Sequence, residues 1–264
     1  MERNGTIKRL PYSQWRGDAG TGTTVGQLEA WPQVYSPELE RERHVVVWLP
    51  PSYMHGDKRY PVLYMHDGQN LFDAATSFAG VEWQADETMT ALASEGIEAI
   101  IVGVWNTEAR SSEYNPFPSW WNGTGDKYVA FLADTLKPLI DGAYRTQTER
   151  KHTAILGSSL GGLVSLFAFF KRRDVFGLCG ALSPAFWLGG ILIYRFVRKI
   201  PFVPGRIYLD HGTRETSAAK MRDVLIAKGY QLDRDLRYVR EEGGEHNEAA
   251  WARRLPGAIR FLLA

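Results

Sequence analysis

Short runs of aliphatic and β-branched residues alternate along the chain with segments whose apolar positions recur at helical spacing. HVVVWLP (44–50), PVLYMHD (61–67), EAIIVGVW (98–105), TAILG (153–157), GLCGALS (177–183), RIYLDHG (206–212) and LRYVREEG (236–243) predict strands. Several are apolar on both faces, the pattern of strands buried in a parallel sheet. TVGQLEAWPQVYS (24–36) alternates with period two and predicts one or two more. Helices are expected over 83–96, 126–144, 160–171, 217–230 and 247–264. Gly229 offers a stop for the fourth, and Pro256 is expected to break or kink the last.

Alternation of strand and helix implies an α/β fold, a mostly parallel central sheet with helices on both faces. No repeat or low-complexity linker divides the chain, and 264 residues with 44% hydrophobic content suffice for one core. Residues 1–25 are polar and rich in Gly and Thr, and are read as an arm. Residues 26–264 are read as one domain. GTGTTVG (20–26) lacks the Gly-Lys-Ser/Thr and the strand–turn–helix of a phosphate loop, so it is read as a turn or arm. NTEARSSEYNPFPSWWNGTG (106–125) is long for a connection, a length typical of functional loops.

Charge narrows the classes further. Lys plus Arg number 31 against 30 Asp plus Glu, with no basic block, so binding of nucleic acid through its phosphates has no support. The single cysteine, Cys179, lies in an apolar run and excludes an internal disulfide. No stretch of about 18 apolar residues is present and the N-terminus has no apolar signal core, so a cytoplasmic protein without a membrane span is expected.

Gly157-Ser158-Ser159-Leu160-Gly161 fits G-x-S-x-G on Ser159, between a predicted strand and a predicted helix. A nucleophile on so sharp a strand-to-helix turn needs glycine two residues to either side, where a Cβ would collide. The turn lifts the hydroxyl above the sheet and aims the Leu160 N–H and the helix N-terminus at a developing oxyanion. A serine needs a base, and the base an orienting acid, in the order serine, acid, histidine. Only His211 and His246 follow Ser159. His211 lies at a strand end, where packing suits it. His246 lies in a loop before the last helix, where the base belongs. Glu215, beyond the Gly212-Thr213 turn, is preferred as the acid, with Asp210 the alternative. The loop after VLYMHD should carry a second oxyanion donor, Gln69 or Asn70. His66 and Asp67 lack clustered partners and are read as loop anchors, so no metal or other cofactor is implied.

These blocks together resemble one family. R-x-x-x-V-W-L-P-P-S-Y (43–53), YMHDGQNLFD (64–73), GSSLGGLVS (157–165), FGLCGALSPAFW (176–187), LDHGTRE (209–215) and GGEHNEAAW (243–251) are similar to blocks of the α/β-hydrolase branch that holds esterase D, enterochelin, feruloyl and acetylxylan esterases and the mycolyltransferases. The likeness runs from about residue 25 to the C-terminus. It implies the α/β-hydrolase fold in three layers and a serine carboxylesterase with nucleophile Ser159, base His246 and acid Glu215. Glutamate stands where many members carry aspartate. The DGQ segment and the Leu160 N–H would form the oxyanion hole. Residues 1–25 match no block and are read as an arm that covers the site or mediates homodimerisation.

The partner expected is a small-molecule ester. Trp120 and Trp121, in a polar loop, and Trp187 are candidate substrate-binding residues; Arg110 pairs with Glu113 or meets an anionic substrate. Alternatives on the same fold are an acyltransferase and a siderophore, feruloyl or acetyl-sugar esterase. A binding protein without catalysis is disfavoured by the intact triad. Activity should rise as the base loses its proton, since only neutral imidazole accepts the serine proton.

Overall fold

The computed structural model describes residues 8–17, 22–117 and 122–264. Among the described residues nine strands are formed: β1 (Leu10–Pro11), β2 (Gln27–Ser36), β3 (Arg41–Leu49), β4 (Val62–His66), β5 (Ile100–Val104), β6 (Thr153–Ser158), β7 (Leu178–Leu182), β8 (Arg206–Gly212) and β9 (Leu236–Glu241). They make one sheet in the order β1-β2-β3-β5-β4-β6-β7-β8-β9. β1, β2, β3 and β5 pair antiparallel in sequence across the sheet, and every pair from β5 to β9 is parallel.

The helices are α1 (Tyr12–Arg16), α2 (Ala85–Ala93), α3 (Arg110–Glu113), α4 (Gly125–Ala130), α5 (Lys137–Ala143), α6 (Leu160–Lys171), α7 (Phe186–Lys199), α8 (Ala219–Lys228) and α9 (Glu248–Leu263). They cover both faces of the sheet because the central strands are apolar on both. In β4, Val62 and Tyr64 join the core under α4 to α8, whereas Leu63 and Met65 join the core under α2 and α9. Alternate residues of a strand point to opposite faces, so a run apolar throughout needs a layer on each side.

α7 is not among the expected helices, and three further segments depart from the pattern read along the chain. The helix expected over 126–144 passes from α4 to α5 through a π-helical segment, Phe131–Leu136, directly ahead of Pro138. Proline has no N–H for the ladder, and a widened turn absorbs the missing bond. Pro256 does not break the last helix: α9 runs through it. Leu255, Ala258, Ile259 and Leu262 around it are buried, and that burial offsets the lost hydrogen bond. Within 1–25, Leu10 and Pro11 pair with β2, and Tyr12 donates to the buried Asp73 at 3.0 Å.

Candidate active site

β6 ends at Ser158 and α6 begins at Leu160, so the chain turns within one residue. Ser159 takes φ 54° and ψ −120°, a conformation that costs a non-glycine residue energy. Its N–H donates to the Leu182 carbonyl at 3.0 Å, and its carbonyl accepts from Leu163 at 3.1 Å and Ala185 at 2.8 Å. The flanking glycines have a steric cause. A Cβ on Gly157 would stand 2.8 Å from His66 Cδ2 and 2.9 Å from the Gly161 carbonyl carbon; one on Gly161 would stand 3.2 Å from His66 Cβ. His66 is the wedge beneath the turn. Its Nδ1 lies 2.9 Å from the Tyr128 hydroxyl, and burial pushes its pKa down to about 3, so the ring is neutral.

The structure brings Ser159, His246 and Glu215 together. His246 Nε2 lies 2.9 Å from Ser159 Oγ, and His246 Nδ1 lies 2.6 Å from Glu215 Oε2. The edge-to-face ring of Trp251, with centroids 5.1 Å apart, supports the imidazole. The loops that carry Glu215 and His246 are fastened to each other. Arg214 N–H donates to the Gly244 carbonyl at 3.0 Å, and a Cβ on Gly212 would stand 2.1 Å from that same oxygen. Glu215 Oε1 accepts from the Ser183 hydroxyl at 2.7 Å and from the Gly212 N–H. Burial alone would raise the pKa of Glu215; the hydrogen bonds from His246, Ser183 and Gly212 outweigh it and hold the carboxyl below its ordinary value.

The other two candidates face elsewhere. Asp210 is buried within β8, where its Oδ1 accepts the Ser183 N–H at 2.8 Å. His211 Nε2 lies 2.7 Å from the Tyr238 hydroxyl, and its Nδ1 is 2.9 Å from the Gly212 carbonyl.

After β4 the chain enters a left-handed residue, Asp67 (φ 56°, ψ 47°), and a single turn over Gly68–Asn70. A Cβ on Gly68 would stand 2.4 Å from the Gly103 carbonyl carbon, so this turn lies directly on β5. Asn70 N–H is engaged by the Asp67 carbonyl at 2.8 Å. The Gln69 carbonyl accepts from Thr76 Oγ1 at 2.6 Å, and its side-chain oxygen accepts from Asn106 N–H at 3.3 Å. Arg110 does not pair with Glu113. It grips Asp67 through Nε at 2.7 Å and Nη2 at 2.8 Å, while Glu113 takes both ends of Arg43 at 3.1 Å. Burial works to raise the pKa of Asp67, but Arg110 and Asn106 overcome it and hold the carboxyl below its usual range. Arg110 keeps 30% of its side chain exposed.

Trp187, in the first turn of α7, is 62% exposed. It follows the Ser183–Ala185 stretch that bonds to both Glu215 and Ser159. Trp120 and Trp121 lie outside the described residues. Among the described residues, no group of three or more His, Cys, Asp or Glu could hold a metal, and no helix is long and apolar enough to cross a membrane. Cys179 is buried and unpaired with another cysteine.

Residues 36–262 match the family described as "Putative esterase". The chain belongs to this esterase family. The esterase is 23% identical to the uncharacterized protein YbbA of Bacillus subtilis, over 83% of this chain and 92% of that one. It is 28% identical to an endo-1,4-beta-xylanase/feruloyl esterase of Xylanibacter ruminicola, over 93% of this chain but only 32% of that protein. Among solved structures, it superimposes on the enterobactin esterase FES of Shigella flexneri with a TM-score of 0.71 at 19% identity, covering 90% of this chain and 60% of that one. The esterase thus has the α/β-hydrolase fold and acts on ester bonds.

Two residues around Glu215 carried no sequence signal of their placement. Ser183 looks like the end of a strand, and Arg254 sits beside another arginine in AWARRLP. Only burial separates them: Arg254 is 6% exposed, and its Nη2 donates to Ser183 Oγ at 2.8 Å.

Proposed function

We propose that this esterase is a serine carboxylesterase that works through an acyl-enzyme. The observation that carries this reading is the unbroken hydrogen-bonded line from Glu215 through His246 to Ser159, at 2.6 and 2.9 Å, on a strained turn that leaves the hydroxyl free of its own backbone. Ser159 Oγ attacks the ester carbonyl carbon as His246 Nε2 takes its proton. Glu215 fixes the ring so that Nδ1 carries the other proton, and its charge stabilises the imidazolium. His246 then protonates the departing alkoxide, and water repeats the sequence in reverse to release the acid. The oxyanion is met by the Leu160 N–H at the start of α6 and by the N–H of Gln69. Gln69 is preferred to Asn70 because the Asn70 N–H is already committed to Asp67.

For the ester itself, Trp187 offers an exposed aromatic ring in the first turn of α7, just after the stretch that bonds to Ser159, and Arg110 a partly exposed guanidinium steadied by Asp67. An aromatic acyl group with an anionic or phenolic substituent suits both. The relatives are named for activity on feruloyl esters and on enterobactin. Wild type and Ser159→Ala should be compared on p-nitrophenyl esters of increasing chain length, on feruloyl esters and on a siderophore trilactone. Activity lost with Ser159, together with labelling of the wild type by a fluorophosphonate, supports the reading. A Ser159→Ala protein with full activity refutes it. Product accumulation on added alcohols or sugars, at the expense of hydrolysis, would make the chain an acyltransferase instead.

A further inference from the structure

Beneath the acid lies a buried charge cluster that the reaction as proposed does not call on. Arg254, on the second turn of α9, is surrounded by three carboxylates. Its Nη1 lies 3.3 Å from Asp210 Oδ1 of β8 and 3.6 Å from Glu215 Oε1, and its Nε lies 3.5 Å from Glu241 Oε2 of β9. Its Nη2 donates to Ser183 Oγ, and that hydroxyl donates onward to Glu215 Oε1 at 2.7 Å. Ser183 is itself held in a left-handed conformation, φ 41°, with its N–H on Asp210. Its carbonyl side leads through Pro184 to Ala185, whose N–H holds the Ser159 carbonyl.

We infer that Arg254 is a positioning residue for the acid: through Ser183 and by its own charge it keeps Glu215 ionised and aimed at His246. The inference rests on the esterase reading above. Two physical facts carry it. Arg254 has no acceptor, so Ser183 Oγ must accept from it, and the single hydroxyl proton is then directed to Glu215. Three carboxylates close together repel one another, and one largely buried guanidinium with five N–H groups is the group that can face them all. The remaining titratable and charged groups facing the cluster are Tyr208 on β8, Arg253 on α9, whose Nε donates to Glu241 Oε1 at 3.2 Å, and His246 on the loop before α9. Asp210 accommodates part of the excess negative charge: burial pushes its pKa up to about 7, against the pull of Arg254.

The test uses the full chain, with kcat, KM and the pH profile of kcat/KM measured on one p-nitrophenyl ester, and thermal unfolding of each variant. In Arg254→Met the cation near the imidazole is gone and the carboxylates remain. The imidazolium is then favoured, so the acid limb of the profile should move up by about 0.5–1 pH unit, with kcat falling about 10–100-fold and KM within about twofold of wild type. Arg254→Lys keeps the charge but not the fork, so its limb should return to the wild-type position while kcat stays low. A second measurement holds even if Arg254→Met fails to fold. Ser183→Ala, Arg254→Lys and their double form a cycle, and a relay through one hydroxyl makes the double no worse than the poorer single variant. A folded Arg254→Met with an unmoved limb, or losses that multiply in the cycle, overturns the inference. Failure of the esterase reading would show separately, as activity surviving Ser159→Ala.

Discussion

The backbone of Ser159 is held by three neighbours: Leu182 takes its N–H, and Leu163 and Ala185 donate to its carbonyl. A serine at φ 54° costs on the order of 1–3 kcal/mol, against which those three hydrogen bonds hold the turn. The glycines beside it are therefore required by contact. Gly157→Ala places a methyl 2.8 Å from His66 and should destabilise the fold by about 1–3 kcal/mol in urea titration, with kcat lowered because the turn must shift. A change that leaves both unaltered would mean that His66 can move aside. Glu215→Gln keeps the shape of the acid and removes its charge. It should lower kcat by about 10³–10⁴-fold, because the amide can hold the imidazole in the wrong tautomer. A loss under tenfold would shift the role toward Asp210. At this scale much was legible. The spacing of glycines about Ser159 and the order of serine, acid and histidine point to three side chains that do meet. Ser183 and Arg254 were not legible, because serine and arginine are common surface residues and only burial turns them into a cluster.

Among the elements, the strands were read well because an apolar run in a buried parallel sheet needs no partner pattern to be recognised. The helices were read less evenly. α7 passes for a hydrophobic stretch with three basic interruptions, and a non-helical Gly190 (φ 50°, ψ −139°) further disguises it. Its exposed Trp187, Ile191 and Leu192 contradict the simple rule that apolar residues face the core. Pro256 misleads in the other direction, since a local rule for breaking helices yields to the apolar face that α9 buries. Restoring the missing donor should therefore help: Pro256→Ala should stabilise the protein by about 1–3 kcal/mol, raising the urea midpoint with activity unchanged. An unaltered midpoint would show that the carbonyl freed by the proline is satisfied in another way.

Across the whole molecule, buried carboxylates give stability a pH dependence of mixed sign. Asp86, at the start of α2, is buried, and its Oδ2 accepts the Val25 N–H at 2.6 Å, tying the segment before β2 to the opposite edge of that core. Burial, with Glu87 alongside, pushes its pKa from an ordinary 3.8 to about 8. Between those values the unfolded chain has released the proton that the folded chain retains. Stability contributed by this group therefore falls as pH rises, and levels off above about pH 8. Asp67 and Glu215, held below their ordinary values, act oppositely: their contribution is complete above the unfolded values and is lost as pH falls through the folded ones. Asp86→Asn should flatten the decline between pH 5 and 8, read as a smaller difference between urea midpoints at the two pH values. A difference equal to that of wild type would assign the decline to Asp210 or another group.

By itself the sequence determined the alternation of elements, the apolar faces of the strands, the turn at Ser159 and the candidacy of Ser159 and His246. Each of these follows from local sterics, from periodicity or from the order of a few residues. Tertiary structure alone decided which carboxylate meets His246, that the Asn70 N–H is already committed, that Arg110 turns to Asp67 rather than Glu113, and that one arginine on the last helix stands among three acids. Those outcomes depend on which distant groups share a volume closed to water. There a charge must find a partner within a few ångströms, and no spacing along the chain records which partner that will be.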